Sequence, residues 1–149
     1  LFSILGSRID GARVLDLYAG SGALGFESLS RGAAHVTFVE VHRPTAATLS
    51  ATARHLGVAE RCTVIALPAE RVAHRLTGPV DLVFADPPYA APYPEAVFAA
   101  LRDRGVVTPA SLVVYEHSSA LEAPADAAFA LIRTARYGAV ALAFLAAAA

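Results

Sequence analysis

Short β-branched runs alternate with stretches of helical spacing along most of the chain. Arg13-Val14-Leu15-Asp16-Leu17-Tyr18 predicts a strand, which Ala19-Gly20-Ser21-Gly22 ends. A helix follows, with Leu24, Phe26, Leu29 and Ala33 available to a core and Gly32 placed to stop it. His35–Val39 predicts a second strand, ending at Glu40. Pro44 suits the first turn of the next helix, Leu49, Ala53 and Leu56 are spaced for one face, and Gly57 suits its C-terminal cap. Cys62–Ile65 predicts a third strand, Ala69–Leu76 a short helix, and Val80–Ala85 a fourth strand. Pro92 and Pro94 flank a turn into a helix over Glu95–Arg104, and Leu112–Tyr115 predicts a fifth strand.

The pattern then changes. Phe129–Thr134 and Ala139–Leu145 are two strands joined near Tyr137-Gly138, too tightly for a crossover helix, so they should pair antiparallel. Strands alternating with helices and closed by a hairpin imply an α/β fold: a mostly parallel, Rossmann-like sheet of seven strands with helices on both faces. The alanine-rich stretches Ala120–Ala128 and Ala146–Ala149 read as surface. With 149 residues and no internal linker, the chain reads as one domain over 1–149.

Composition narrows the class. Hydrophobic residues make up 56% and charged residues 17%, which excludes a disordered chain. No apolar run approaches the roughly 20 residues of a membrane span. The start, Leu1-Phe2-Ser3, has no initiator Met and no signal core, and reads as the interior of a longer gene product. Cys62 is the only cysteine, so no internal disulfide forms and a cytoplasmic location is expected. Net charge is -1, and all 12 basic residues are arginine, which keeps bidentate phosphate chemistry. The five histidines lack metal-motif spacing, so no metal is expected. Cys62 reads as a core residue and Arg43, Arg102 and Arg104 as surface charge; Glu116 ends the fifth strand at the edge where it could touch a substrate, but reads as a solvated acid.

Candidate chemistry gathers at strand ends. Gly20-Ser21-Gly22-Ala23-Leu24-Gly25 satisfies G-x-G-x-x-G between a strand and a helix, where glycines admit a ligand close to the backbone. Asp16 separates two cofactors. A carboxylate beside the turn can hold a cationic amine but is a poor neighbour for a pyrophosphate, which favours S-adenosylmethionine over a nicotinamide dinucleotide. Glu40 matches the acid that holds ribose hydroxyls in such folds. Asp86-Pro87-Pro88-Tyr89 follows the fourth strand at the same sheet edge. The prolines fix a stiff segment with outward carbonyls, so a carboxylate and a carbonyl form an acceptor pair for an exocyclic NH₂. Tyr89 offers a face on which a base can stack.

The segments Asp16-Leu17-Tyr18-Ala19-Gly20-Ser21-Gly22 and Asp86-Pro87-Pro88-Tyr89 resemble the class I S-adenosylmethionine-dependent amino-methyltransferases. Asp16–Ala33 and Leu82–Tyr89 resemble, more narrowly, the bacterial family that methylates N2 of a guanine in 16S ribosomal RNA, the RsmD family. Leu1–Leu5 is similar to the helix before that family's first strand. The resemblance implies transfer to guanine N2 of 16S rRNA or an assembling small subunit by a monomer, with S-adenosylhomocysteine as product. It implies Asp86, Pro87, Pro88 and Tyr89 as catalytic residues, and Asp16, Tyr18, Ala19, Gly20, Ser21, Gly22, Glu40, Ala69 and Asp86 as cofactor-binding residues. Two departures stand out. The family's upstream hairpin and Arg/Thr-rich segment do not occur here, and Pro68-Ala69-Glu70 replaces an Asn or Asp near the adenine, leaving backbone near Ala69 to read it. Adenine N6 methylation, an NAD-binding oxidoreductase, a protein-glutamine methyltransferase and a non-catalytic cofactor-binding subunit are the alternatives.

Overall fold

A computed structural model describes residues 1–88 and 90–149. Strands β1 (Arg13–Leu17), β2 (His35–Val39), β3 (Cys62–Ile65), β4 (Leu82–Ala85), β5 (Leu112–Ser118), β6 (Phe129–Tyr137) and β7 (Val140–Ala147) form one sheet. Its order is β3-β2-β1-β4-β5-β7-β6. Pairing is parallel from β3 through β5, while β7 runs antiparallel to both β5 and β6. The helices are α1 (Phe2–Leu5), α2 (Ala23–Ser30), α3 (Arg43–His55) and α4 (Glu95–Asp103). No helix among the described residues is long and apolar enough to cross a membrane.

Alternation along each strand splits the core in two. Leu15, Leu17, Val83, Ala85, Val113 and Tyr115 face α4 and the turns after β3. Val14, Val36, Phe38, Phe84 and Val114 face the side covered by α1, α2 and α3. Every residue of β4 is buried, as expected of a parallel strand covered on both faces. Full burial of a side chain such as Phe38 or Leu15 contributes about 1.5–3 kcal/mol over leaving it in water.

Helix α2 meets β2 at close range because its third residue is glycine: a Cβ on Gly25 would lie 2.3 Å from the Phe38 ring. The far end of α2 is held from outside, where the Arg61 guanidinium donates to the Leu29 and Ala33 carbonyls. That places a cation at the negative end of the helix.

Several expectations change. Residues 69–76 form two 3₁₀ turns, Ala69–Arg71 and Ala73–Arg75, rather than a helix, because the bonds from Arg71 N–H to Pro68 O and from Arg75 N–H to Val72 O are of i→i+3 type. Leu56 lies past the end of α3 and is exposed. β4 starts at Leu82 rather than Val80, and Tyr18 leaves β1. β5 continues to Ser118 because β7 pairs along its length, from Val113 with Leu145 to Ser118 with Val140. Ala147 is buried, not surface, since it closes β7 opposite Phe129. The stretch before β6 is tied down by Asp126, which accepts from the Tyr93 hydroxyl at 3.0 Å.

Candidate active site

The parallel strands deliver their C-terminal ends to one edge, and the site is built there. Asp16, near the end of β1, points to the α2 side and is almost fully buried. Its Oδ2 accepts the Gly25 N–H at 3.1 Å, so a carboxylate from the strand meets the first turn of α2 in place of a side-chain cap on Gly22. Burial pushes the Asp16 carboxyl up to about 8; the Gly25 bond works against that shift, and the charge of Asp86 adds to it.

Tyr18 follows with φ 54°, a left-handed conformation that is an outlier for a bulky side chain. Burial raises its hydroxyl to about 12, with Glu70 and Tyr115 adding to the shift. The turn closes through Ala19 N–H to Val39 O and Gly22 N–H to Ala19 O, both 2.9 Å. Gly20 has φ 56° and open space where a Cβ would stand, Gly22 has φ 80°, and Ser21 is exposed. Glu40, just past β2, accepts the Gly20 N–H on Oε1 and the His42 N–H on Oε2, each at 2.9 Å. The glycine turn and the acid of the neighbouring strand are thus one unit.

A cleft of about 530 Å³ opens beside them, lined by Tyr18, Glu40, Val41, Ala69, Pro88 and Tyr93 among others. That volume is in the range of small-molecule sites, roughly 300–1,000 Å³. These residues fit S-adenosylmethionine. Glu40, in the lining, keeps a lone pair on each oxygen for ribose hydroxyls; Asp16 and Gly20 stand behind the lining, Asp16 almost fully buried with lone pairs left for a cationic amine and Gly20 with open space where a Cβ would stand.

Asp86 lies one residue beyond β4 and is exposed. It lines a pocket of about 280 Å³ with Leu24, Phe84, Val114, Glu116 and Leu142, and a smaller one of about 170 Å³ with Pro87, Pro88, Glu116 and His117. Pro88 also lines the large cleft, so the Asp86–Pro88 segment separates it from the two pockets. One expectation changes here: the two proline carbonyls are not both unpaired, since that of Pro88 accepts the Ala91 N–H at 2.8 Å. Tyr89 lies outside the described residues.

Two residues near the end of β5, Glu116 and His117, are less exposed than a strand-end position suggests. Ala85 pairs with Tyr115, so Glu116 stands level with Asp86 on the neighbouring strand. Burial, and then the neighbouring Asp86 carboxyl, push the Glu116 carboxyl up to about 7. His117 is buried and stacks on Tyr115 with centroids 5.5 Å apart; its Nδ1 contacts Ser118 O, while Nε2 has no partner among the described residues. The only sequence signal for either was position at a strand end. Cys62 is half-buried against the α1–α3 side rather than deep in the core.

A family model described as "Conserved hypothetical protein 95" matches residues 1–146. The chain is similar to "Putative rRNA methyltransferase YlbH" of Bacillus subtilis, 34% identical over 128 residues, covering 83% of this chain and 69% of that protein. It is also similar to the Ribosomal RNA small subunit methyltransferase D of Escherichia coli K12, 34% identical over 116 residues, 78% of this chain and 58% of that one. Among solved structures, "Putative methyltransferase yhhF" from Escherichia coli superposes with a TM-score of 0.89 at 32% identity, over 99% of this chain and 84% of that one. The sheet and its surroundings are those of a class I methyltransferase.

Proposed function

The chain belongs to the Conserved hypothetical protein 95 family, that of the small-subunit ribosomal RNA methyltransferases D, and from that premise we propose that it transfers a methyl group from S-adenosylmethionine to guanine N2 of 16S ribosomal RNA. The observation that carries this reading is the Asp86–Pro88 segment, which stands between a nucleoside-sized cleft and a largely apolar pocket. Bound in that cleft, S-adenosylmethionine supplies an electrophilic methyl carbon and leaves as S-adenosylhomocysteine.

The chain's own residues do the rest by orientation. Asp16 holds the ammonium of the cofactor and Glu40 its ribose hydroxyls, with Ala69 backbone at the adenine. Guanine N2 is a weak nucleophile because its lone pair is delocalised into the ring. Asp86 and the Pro87 carbonyl accept its two hydrogens, which turns the lone pair toward the methyl carbon, and Tyr89 stacks on the base. Asp86 takes the proton that N2 gives up as the N–C bond forms. Most of the acceleration comes from in-line positioning and oriented acceptors, with no covalent intermediate.

The test incubates the chain with labelled S-adenosylmethionine and small ribosomal subunits lacking the modification, and identifies the labelled nucleoside by mass spectrometry. N2-methylguanosine is expected. N6-methyladenosine, or no labelled nucleoside, overturns the guanine reading.

A further inference from the structure

We propose that Glu116 is the guanine-selecting residue of this site, its carboxylate accepting the N1–H of the target base while Asp86 and the Pro87 carbonyl hold the N2 amine. The inference rests on the guanine reading above and adds to it how a purine is chosen.

Register fixes the placement. β4 and β5 are parallel neighbours, and their last shared pair is Ala85 with Tyr115, so the next residues, Asp86 and Glu116, come level at the sheet edge. Adjacent strands lie about 4.8 Å apart, and both side chains follow residues of the α1–α3 face, Phe84 and Val114. They line the same two pockets. The larger of these, about 280 Å³, is walled by Leu24, Phe84, Val114 and Leu142, an apolar slot with acids at its rim. A planar base enters such a slot with its ring against the aliphatic walls and its polar edge toward the rim.

The polar edges of the purines differ. Guanine presents the N2 amine and, next to it, the N1–H, so its adjacent groups are all donors. Adenine presents the N6 amine beside an N1 lone pair. Asp86 with Pro87 can serve either amine, so that pair alone cannot choose. A second carboxylate one strand along can choose: ionised, it accepts the guanine N1–H and opposes the adenine N1 lone pair. Two neighbouring acids resist joint ionisation until donors arrive to satisfy them, and the guanine edge brings three hydrogens to this rim.

The test replaces the guanine that the chain methylates, in subunits reconstituted from unmodified RNA, with 2-aminopurine. That base keeps the N2 amine but carries a lone pair at N1. The wild-type chain should lose about ten- to hundredfold in kcat/KM on 2-aminopurine, the range for a lost hydrogen bond to a charged group. Glu116→Gln, whose amide can donate to N1, should lose a similar factor on guanine and discriminate between the two bases by less than about threefold. Its affinity for S-adenosylmethionine, read by calorimetry, should match wild type and show that the variant is folded. Equal wild-type turnover of both bases, or a variant with the wild-type ratio, overturns the role of Glu116 while N2-methylguanosine from wild type still upholds the guanine reading. Absence of N2-methylguanosine from wild type overturns both.

Discussion

The Gly20 N–H donates to Glu40 Oε1 at 2.9 Å, which ties the glycine turn after β1 to the acid after β2. Glu40 Oε2 takes the His42 N–H as well, so one carboxylate organises two loops at the mouth of the cleft. Binding and local order are therefore coupled at this residue.

Glu40→Ala removes both bonds together with the acceptor proposed for the ribose. The variant should lose about 1–3 kcal/mol of stability in denaturant unfolding and at least about tenfold in affinity for S-adenosylmethionine by calorimetry. Glu40→Gln keeps one acceptor oxygen and should fall between Ala and wild type in both measurements.

Asp16 gives a pH prediction with a definite sign. Its carboxyl, ordinarily near 3.8, titrates near 8 in the fold because it is buried. Between those values the folded chain holds a proton that the unfolded chain has released, so this group's contribution to stability falls as pH rises through that window. The melting temperature of the cofactor-free protein should decline from about pH 5 to about pH 8 more steeply in wild type than in Asp16→Asn. If Asp16 holds the ammonium, cofactor binding at about pH 6 should release a proton, visible as calorimetric heats that depend on the buffer, and Asp16→Asn should abolish that release.

Asp86→Asn is nearly isosteric, but it can set an NH₂ against the target amine. Single-turnover methyl transfer should fall by about 10²–10³-fold, the cost of removing one preorganised group. Affinity for S-adenosylmethionine should stay within about threefold, because Asp86 lines the two smaller pockets and not the large cleft. An equal loss of cofactor affinity would place Asp86 with the cofactor instead of the acceptor.

Gly25→Ala separates packing from ligand contact within the glycine motif. The new Cβ would meet Phe38 at 2.3 Å and Val36 at 2.9 Å, so thermal unfolding should report a loss of about 1–3 kcal/mol from overpacking. Gly20→Ala meets no atom within 4 Å and pays only for its left-handed backbone, about 1–2 kcal/mol, while blocking close approach of the cofactor.

Much of this molecule is legible in local sequence. Short β-branched runs mark β1, β2 and β3, since branched side chains favour extended backbone, and Gly32 and Gly57 take the left-handed φ that closes a helix. The short helix expected over residues 69–76 failed because the choice between i→i+3 and i→i+4 bonding there depends on burying Val72 and Ala73 against the sheet.

By itself the sequence determined the α/β class, the antiparallel hairpin, and the three acids Asp16, Glu40 and Asp86 at strand ends, because each follows from spacing within a few residues. Only the tertiary structure decided that β7 inserts between β5 and β6, since a hairpin can present either strand to its neighbour. Burial settles it: β7 is apolar on both faces and takes the inner place, while β6 carries Ile132, Arg133 and Arg136 outward at the edge. The same long-range pairing, Ala85 beside Tyr115, brought Glu116 level with Asp86, a juxtaposition across thirty residues of chain that no local pattern can report.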